Sequence, residues 1–157
     1  AAYCGGLRVS ANRLERNSMS ARKPLPQVNA DTRPFWEGCR QHRLMIQKCA
    51  DCGSFRWPPG YLCPECLSAR SQWVDSSGRG CVYTFAVYHV AYDPGFQDAL
   101  PYVVAIVELA EGPRMMTNIV GCAPGEVYCD MAVEVTWDHE DAGFVIPRFR
   151  PQPKSPV

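Results

Sequence analysis

The chain has 157 residues, 46% of them apolar, and a formal net charge of zero. This length can bury a real core, but it supports only one domain or two small ones. Because the sequence has no apolar run of about 18 residues and no secretory pattern at its N-terminus, we predict neither a membrane span nor secretion. We expect a cytoplasmic protein that does not bind membranes.

The first 30 residues predict an extended N-terminal arm. They contain few large apolar side chains, no sustained periodicity and the loop-like segment SARKPLPQVNA, and such segments do not build a core. Met19 is a candidate native start, which would make residues 1–18 an upstream extension.

A short helix and a strand are predicted to follow the arm. In DTRPFWEGCRQHR, Asp31 or Thr32 can cap a helix over about residues 33–42, with Pro34 in its first turn. RLMIQKC then predicts a strand that leads into a cluster of cysteines. Together with that cluster, these segments form the second predicted unit, residues 31–76.

Four of the nine cysteines lie in the stretch CADCGSFRWPPGYLCPEC. The spacing C-x2-C-x10-C-x2-C predicts two knuckles that face each other, and four thiolates are a ligand shell that zinc prefers in structural sites. Because four thiolates saturate the ion, this zinc would be structural and take no part in catalysis. The predicted ligands are Cys49, Cys52, Cys63 and Cys66.

Other uses of these cysteines are possible. A rubredoxin-type iron site has the same ligand set, and the sequence separates iron poorly from zinc. Two thioredoxin-like redox pairs are less favoured, because that motif opens a helix after a strand. A disulfide framework is disfavoured by the reducing cytosol and by the odd number of cysteines.

Residues 77–150 predict a five-stranded barrel, and residues 151–157 predict an extended, basic tail. Five strands in about 75 residues fit the OB-fold, the commonest five-stranded barrel, and Gly78 and Gly80 would let the first long strand bend. The fold class is therefore mainly β, with a short helix and a rubredoxin-like zinc ribbon followed by an OB-fold barrel. The runs with strand character after the cysteines are QWVDS, GCVYTFAVYHV, PYVVAIVEL, PRMMTNIV, MAVEVTW and GFVIPRF.

The alternation in MAVEVTW predicts a half-buried strand. The side chains expected to face the core are those of Met131, Val133, Val135 and Trp137.

The other chemistry-bearing residues show no pattern typical of a catalytic site, so none is predicted to be catalytic. Five scattered cysteines are interpreted as buried thiols or surface residues, namely Cys4, Cys39, Cys81, Cys122 and Cys129. The histidines form no recognisable group, and the second is expected within a strand; they are His42, His89 and His139. An acidic run is interpreted as a solvated turn and comprises Asp138, Glu140 and Asp141.

The ordered series of segments resembles a known family. PFWEG, a strand ending in QKC, the motifs C-x-x-C-G and P-P-x-x-x-C-P-x-C, and PYVVAIVELAEGPRMMTNIVG are similar to the rubredoxin-like zinc ribbon plus OB-fold proteins once catalogued as domain of unknown function thirty-five. The resemblance covers about residues 33–150 and carries the family's ribbon cysteines onto the four predicted ligands. One position departs from the pattern, because the usual glycine of G-M-x-V is Asp130 in CDMAVEV.

The resemblance implies a role in a heteromeric acyl-CoA enzyme. Members of the family act as small subunits without catalytic residues of their own, mostly of thiolase-like partners that make or break carbon–carbon bonds. We therefore expect a zinc-binding accessory subunit that stabilises a thiolase-like catalytic subunit and helps to shape its site for the coenzyme A thioester. An accessory subunit of an enoyl-CoA hydratase is the alternative that the same resemblance implies.

Aromatic side chains on the helix and the ribbon are candidate anchors for that partner. They are Phe35, Trp36, Phe55 and Trp57, with packing in the core as the alternative for each. The proline-stiffened loop FRWPPGYL between the knuckles is expected to present a fixed surface.

An OB-fold also permits a nucleic-acid-binding function, and the charges argue against it. From Arg79 to the end there are five Lys and Arg against ten Asp and Glu, whereas residues 1–48 carry nine against three. Because phosphate neutralisation supplies most of the affinity for nucleic acids, a net acidic barrel is a poor binding surface. An independent small enzyme is the remaining alternative.

Overall fold

A computed structural model describes residues 23–140 and 143–153. The predicted arm up to residue 22 and the end of the tail lie outside the described residues. The elements, in chain order, are the helix α1 (Arg33–Arg40) and the strands β1 (Met45–Cys49), β2 (Phe55–Arg56), β3 (Ser71–Asp75), β4 (Arg79–Tyr88), β5 (Tyr102–Leu109), β6 (Arg114–Ile119), β7 (Ala132–His139) and β8 (Val145–Pro151). Two 3₁₀ turns span Pro94–Ala99 and Pro124–Glu126. Within the described residues no helix is long and apolar enough to cross a membrane.

The helix α1 begins where it was predicted and ends two residues earlier. Thr32 occupies the N-cap position without a side-chain capping bond, because its hydroxyl donates to Asn29 Oδ1 at 3.0 Å instead. His42 cannot continue the helix, since its φ of +57° is left-handed. A buried face of α1, which includes Phe35 and Cys39, packs against the ribbon and the barrel.

The first three strands form the small sheet of the ribbon, in the order β2-β1-β3. Both outer strands pair antiparallel with β1, and Cys49 at its end lies opposite Ser71. Because β1 ends at the first knuckle, this sheet fixes where the cysteine cluster begins. The predicted run QWVDS therefore belongs to the ribbon, as the predicted unit of residues 31–76 requires.

The remaining five strands form a closed barrel in the order β4-β5-β6-β8-β7, with β7 pairing back onto β4. Neighbours are antiparallel except for β6 and β8, which meet in parallel at Ile119 and Phe149. The predicted five-stranded barrel is confirmed. Its centre holds fully buried side chains that include those of Phe149, Met115, Val82 and Val133.

The first barrel strand, β4, is long and irregular. Its pairing with β5 shifts between Val82 and Thr84, which marks a β-bulge. Gly80 lies so close to β5 that a Cβ atom there would be 2.3 Å from the carbonyl oxygen of Glu108. The prediction that His89 lies within this strand is wrong, because β4 ends at Tyr88 and the exposed His89 follows it.

The predicted alternation of buried and exposed side chains is clear from Met131 into the first half of β7. Met131 and Val133 are buried and Ala132 between them is exposed. Farther along, Val135 and Trp137 are only partly covered, because this end of the strand lies beside the turn that follows α1.

Asp130, which replaces the usual glycine of the family, has a φ of +67°. Its amide donates to the carbonyl of Val82 at 2.7 Å, so the backbone is held in this left-handed conformation. Glycine adopts that conformation without the steric cost of a Cβ atom.

We expect Asp130→Gly to raise the free energy of unfolding by about 0.5–1 kcal/mol. Urea denaturation of both proteins measures the change. Asp130→Ala is the matched control, because it removes the carboxylate and keeps the Cβ atom, and it should give no gain. An equal gain in both variants would attribute the effect to the charge and not to the backbone.

Candidate metal centre and adjoining surfaces

Two similar knuckles present the four cysteines of the ribbon. In the first, the amide of Cys49 donates to Ser54 and that of Gly53 donates back to Cys49, at 2.8 and 3.1 Å. The second repeats these bonds, with Cys63 donating to Ser68 and Leu67 donating back to Cys63, both at 2.9 Å. The residue after the second cysteine is left-handed in each knuckle, with φ of +75° at Gly53 and +60° at Leu67.

The sulfurs of the four predicted ligands converge. All four Sγ atoms lie within 4.8 Å of one another, and two pairs that cross between the knuckles, Cys49 with Cys66 and Cys52 with Cys63, are 3.6 Å apart. Two thiolates at about 2.3 Å from one tetrahedral zinc ion are about 3.8 Å apart. The donor atoms therefore fit one tetrahedral metal ion, and no coordination position would be left for a substrate or a water molecule.

The thiols of the cluster do not all ionise readily while their sulfurs lie so close together. Hydrogen bonds with Ser54 lower the pKa of Cys52 to about 6. The backbone amide of Ser68 favours the thiolate of Cys66, but the neighbouring sulfur of Cys52 and burial raise its pKa to about 12. One cysteine ionises readily and the next does not, which is the behaviour of crowded anionic groups. A divalent cation would remove that repulsion.

Hydrogen bonds outside the cluster of sulfurs join the two knuckles to each other. The carboxylate of Asp51 in the first knuckle accepts hydrogen bonds from Ser68 and Arg70 beyond the second. The amide of Ala50 also donates to the carbonyl of Arg70, at 3.0 Å. These bonds orient the two halves of the cluster.

The loop between the knuckles is held in place by a buried arginine that no sequence motif indicated. Arg56 is 7% exposed and donates to Gln47 Oε1 at 2.6 Å and to the carbonyl of Gly60 at 2.8 Å. The amide of Gly60 donates to the same oxygen of Gln47 at 3.0 Å. The loop therefore has a defined path from Trp57 to Gly60. Its far end exposes Tyr61 and Leu62.

A largely apolar groove of about 510 Å³ runs between this loop, the helix and the barrel. Phe35 lies behind it, with its ring 4.4 Å from that of Trp57 and 4.9 Å from that of Trp36. The polar contributions to its wall include Asn118 and Arg148. The main apolar lining residues are Trp36, Trp57, Phe96, Tyr102 and Met116.

The four aromatic side chains that are candidate anchors differ in how far they are buried and in what they contact. Phe35 is 3% exposed and belongs to the core. Trp36 and Trp57 are partly covered and face the groove. Phe55 is also partly covered, with the ammonium of Lys48 5.1 Å from its ring centre. The two tryptophans therefore stay candidates for contact with a ligand in the groove, and Phe55 stays a candidate for contact with a partner outside it.

The scattered cysteines that the structure describes are free thiols. Burial raises the pKa of Cys39 to about 12, so this thiol is a poor nucleophile. Burial also raises the pKa of Cys122. Cys81 is partly covered and Cys129 is exposed, whereas Cys4 lies outside the described residues.

The interpretation of Asp138 and Glu140 as a solvated turn is wrong for Glu140 and half right for Asp138, whose side chain is 46% exposed. Asp138 lies on β7, and the side chain of Glu140 is 16% exposed because Lys23 and Arg148 cover it. Lys23 Nζ is 2.6 Å from Glu140 Oε1, and Arg148 is 3.4 Å from Asp138 and 3.7 Å from Glu140. This cluster attaches the chain at Lys23 to the barrel. Asp141 lies outside the described residues.

The structure also brings together two histidines that the sequence gave no reason to group. His42 Nε2 and His139 Nε2 are 3.3 Å apart, although 97 positions separate the residues. The contact depends on how the helix docks on the barrel, and no local spacing could have indicated it.

Comparisons with known proteins decide the family. Residues 36–71 match the family model described as the ChsH2 rubredoxin-like zinc ribbon domain, and residues 73–138 match that of the ChsH2 C-terminal OB-fold domain. A solved structure described as "Ltp2-ChsH2(DUF35) aldolase" contains a chain 42% identical to this one, with a TM-score of 0.74, over 81% of this chain and 98% of that chain. The chain belongs to the ChsH2 (DUF35) family. The resemblance drawn from its sequence is thereby confirmed.

Some curated relatives of this ChsH2 (DUF35) chain carry the names of acyl-CoA enzyme subunits, and others, such as one of Methanocaldococcus jannaschii that is 38% identical over 65% of this chain and 73% of its own length, are named "DUF35 domain-containing scaffold protein". The "benzoylsuccinyl-CoA thiolase subunit BbsA" of Thauera aromatica is 32% identical over 71% of this chain and 70% of its own length. The "probable enoyl-CoA hydratase alpha subunit" of Thermomonospora curvata is 43% identical over 83% of this chain. The chain spans only 40% of the length of that last relative.

Proposed function

We propose that this chain is a non-catalytic, zinc-binding subunit of a heteromeric acyl-CoA enzyme, a thiolase-like one that makes or cleaves a carbon–carbon bond. The observation that carries the proposal is the 42% identity to a DUF35 chain from a complex described as an aldolase. The thiolase subunit from Thauera aromatica supports the same reaction class, since thiolases and aldolases both act on carbon–carbon bonds. In this proposal the partner supplies the reactive groups.

The four cysteines Cys49, Cys52, Cys63 and Cys66 hold the metal in this proposal, and zinc is the ion. Their sulfur separations suit a tetrahedral ion, and the match to a zinc ribbon model supports zinc over iron. The ion stabilises a three-stranded sheet that is too small to fold alone. Metal analysis of the purified chain separates the two ions, and an iron–thiolate absorption in visible light would overturn the choice of zinc.

The groove is the surface that helps to shape the acyl-CoA entrance. Its aromatic lining suits an acyl chain or the apolar part of a coenzyme A thioester, and ligand sites are typically concave and mostly apolar. Its walls come from the helix, the metal-held loop and the barrel, so the metal site indirectly fixes its shape.

The second knuckle is the surface that we propose for docking the catalytic subunit. Leu67 is left-handed, which costs about 1–2 kcal/mol for a residue with a Cβ atom, and its side chain is 72% exposed. Glycine holds the matching position in the first knuckle. Neither feature benefits the isolated chain, whereas a partner that covers Leu62 and Leu67 would bury both side chains.

We expect Leu67→Gly to raise the stability of the free chain and to weaken the complex at least tenfold, a loss of about 1.4 kcal/mol. Urea denaturation and surface plasmon resonance against the partner measure the two effects. Val90→Ser is the control, because Val90 is exposed to a similar degree and lies two residues beyond the end of β4. Unchanged affinity with Leu67→Gly would exclude this docking surface.

An accessory role in an enoyl-CoA hydratase is the second candidate, and the hydratase relative from Thermomonospora curvata favours it. Co-purification from the native host, followed by mass spectrometry of the captured partner, separates the two candidates. A thiolase- or aldolase-type partner supports the first proposal, and a hydratase subunit supports the second. A filter-binding assay with single-stranded DNA or RNA tests the nucleic-acid alternative, which the acidic barrel disfavours.

A further inference from the structure

We propose that His42 and His139 form a second metal-binding site, one that takes a borderline divalent cation such as zinc and ties the helix to the barrel. The proposal does not depend on the identity of the catalytic partner. His42 lies in the turn after α1, and His139 is the last residue of β7. The two side chains therefore meet where the helix and the barrel come together.

The separation of the two ring nitrogens is the first argument. His42 Nε2 and His139 Nε2 are 3.3 Å apart. Two imidazole nitrogens bound to one tetrahedral zinc ion at about 2.0–2.1 Å lie about 3.3–3.4 Å from each other. Each ring thus directs one nitrogen to a point that a single ion could occupy.

The backbone that presents His42 is the second argument. Its φ of +57° is an uncommon conformation for a residue with a side chain. The turn holds it there, because the amide of His42 donates to Cys39 at 3.0 Å and that of Arg43 donates to Gly38 at 2.9 Å. These two bonds are the pair that closes a Schellman motif at a helix C-terminus, so they hold the start of the His42 side chain at a fixed place beside β7.

The orientation of the His42 ring is fixed by a neighbour on β7, the strand that also carries His139. The ring of His42 stacks on that of Trp137, with centroids 5.5 Å apart and an angle of 14° between the planes. Trp137 and His139 lie two positions apart on β7, and both pair with β8. A ligand that is already oriented loses less entropy when it binds an ion.

The chemistry of the pair suits a weaker metal site that is open to water, unlike the saturated four-thiolate site of the ribbon. Both histidines are exposed, so water could complete the coordination of a bound ion. Imidazole binds zinc, nickel and copper well, and neutral rings are the binding form. Because the histidine pair offers only two protein ligands, it binds zinc more weakly than the four thiolates do. Added zinc therefore fills the ribbon site first.

Zinc titration of the full chain, produced without a histidine tag, tests the proposal by isothermal calorimetry. The chain is first loaded with one equivalent in the ribbon, and wild type is compared with His42→Gln, His139→Gln and the control His89→Gln. We expect wild type and His89→Gln to take up a second equivalent. Either site variant should lose at least tenfold in affinity for it, about 1.4 kcal/mol, and should keep the first equivalent.

Thermal unfolding gives an independent readout. A cation that binds only the folded chain raises the melting temperature, so the second equivalent should stabilise wild type and His89→Gln but neither site variant. His139→Gln leaves the turn that contains His42 unchanged. A loss of zinc binding in this variant therefore cannot be attributed to misfolding of that turn. Absence of a second equivalent in wild type, or its retention when both histidines are replaced, would show that the pair is only an N–H···N hydrogen bond.

Discussion

Replacing Cys63 by serine is expected to release the metal from the ribbon and to unfold its three-stranded sheet. Cys63 is 1% exposed, and its sulfur lies 3.6 Å from that of Cys52 in the facing knuckle. The free energy of binding a structural zinc ion is about 10–16 kcal/mol in small zinc domains, and much of it serves as folding free energy. Loss of one of the four thiolates is therefore expected to remove most of the stability that the metal gives to the ribbon.

Metal analysis and far-ultraviolet circular dichroism measure this effect. Wild type should carry one zinc ion per chain in the ribbon, and Cys63→Ser should carry almost none after dialysis. Cys129→Ser is the matched control, since Cys129 is exposed and lies outside the cluster. A Cys63→Ser protein that kept its zinc and its stability would contradict the assignment of the four ligands.

Replacing Phe149 by alanine is expected to lower the free energy of unfolding of the barrel by about 3–5 kcal/mol. Its side chain is completely buried, and the residue pairs with Ile119 on β6 and Val135 on β7. It therefore lies where the barrel closes. The variant should still bind zinc in the ribbon, because the cysteines belong to another sheet.

Phe96→Ala provides the comparison for that variant. Phe96 lies in a 3₁₀ turn at the edge of the groove and is only partly buried. Urea denaturation should therefore show a clearly smaller loss of stability than for Phe149→Ala. Similar losses in the two variants would argue against Phe149 as a closing residue of the core.

The parts of this structure that the sequence predicted are those set by local patterns. The cysteine spacing predicted that the four sulfurs would converge, because each knuckle closes within six residues through its own backbone bonds. The barrel strands could be predicted from apolar runs bounded by glycine, proline and aspartate. The departure at Asp130 was also visible, and its left-handed backbone now explains why glycine is usual there.

The parts that the sequence could not predict depend on contacts between distant segments. The His42–His139 pair and the contact of Lys23 with Glu140 each join residues about a hundred positions apart. Glu140 was misjudged because exposure was inferred from its acidic neighbours, whereas Arg148 from the next strand covers it. Arg56 was overlooked because nothing local indicates that a charged side chain will be buried.

The second knuckle gives the metal site a role beyond stabilising the ribbon. The ion would hold Leu62 and Leu67 at fixed positions, and the buried Arg56 holds the other end of the same loop. In our proposal the metal therefore acts on the partner through the surface that it keeps in place. In that case a site without an open coordination position would still contribute to the activity of a complex.

Production of the catalytic partner with and without this chain tests the central proposal most directly. The partner to be tested is a thiolase- or aldolase-type protein from the same host that co-purifies with this chain, and the readout is turnover of acyl-CoA by the purified material. We predict that the two proteins co-elute and are active together, that neither is fully active alone, and that Cys63→Ser abolishes co-elution. Full activity of the partner alone, with no co-elution, would contradict the proposal, as would turnover of acyl-CoA by this chain without any partner.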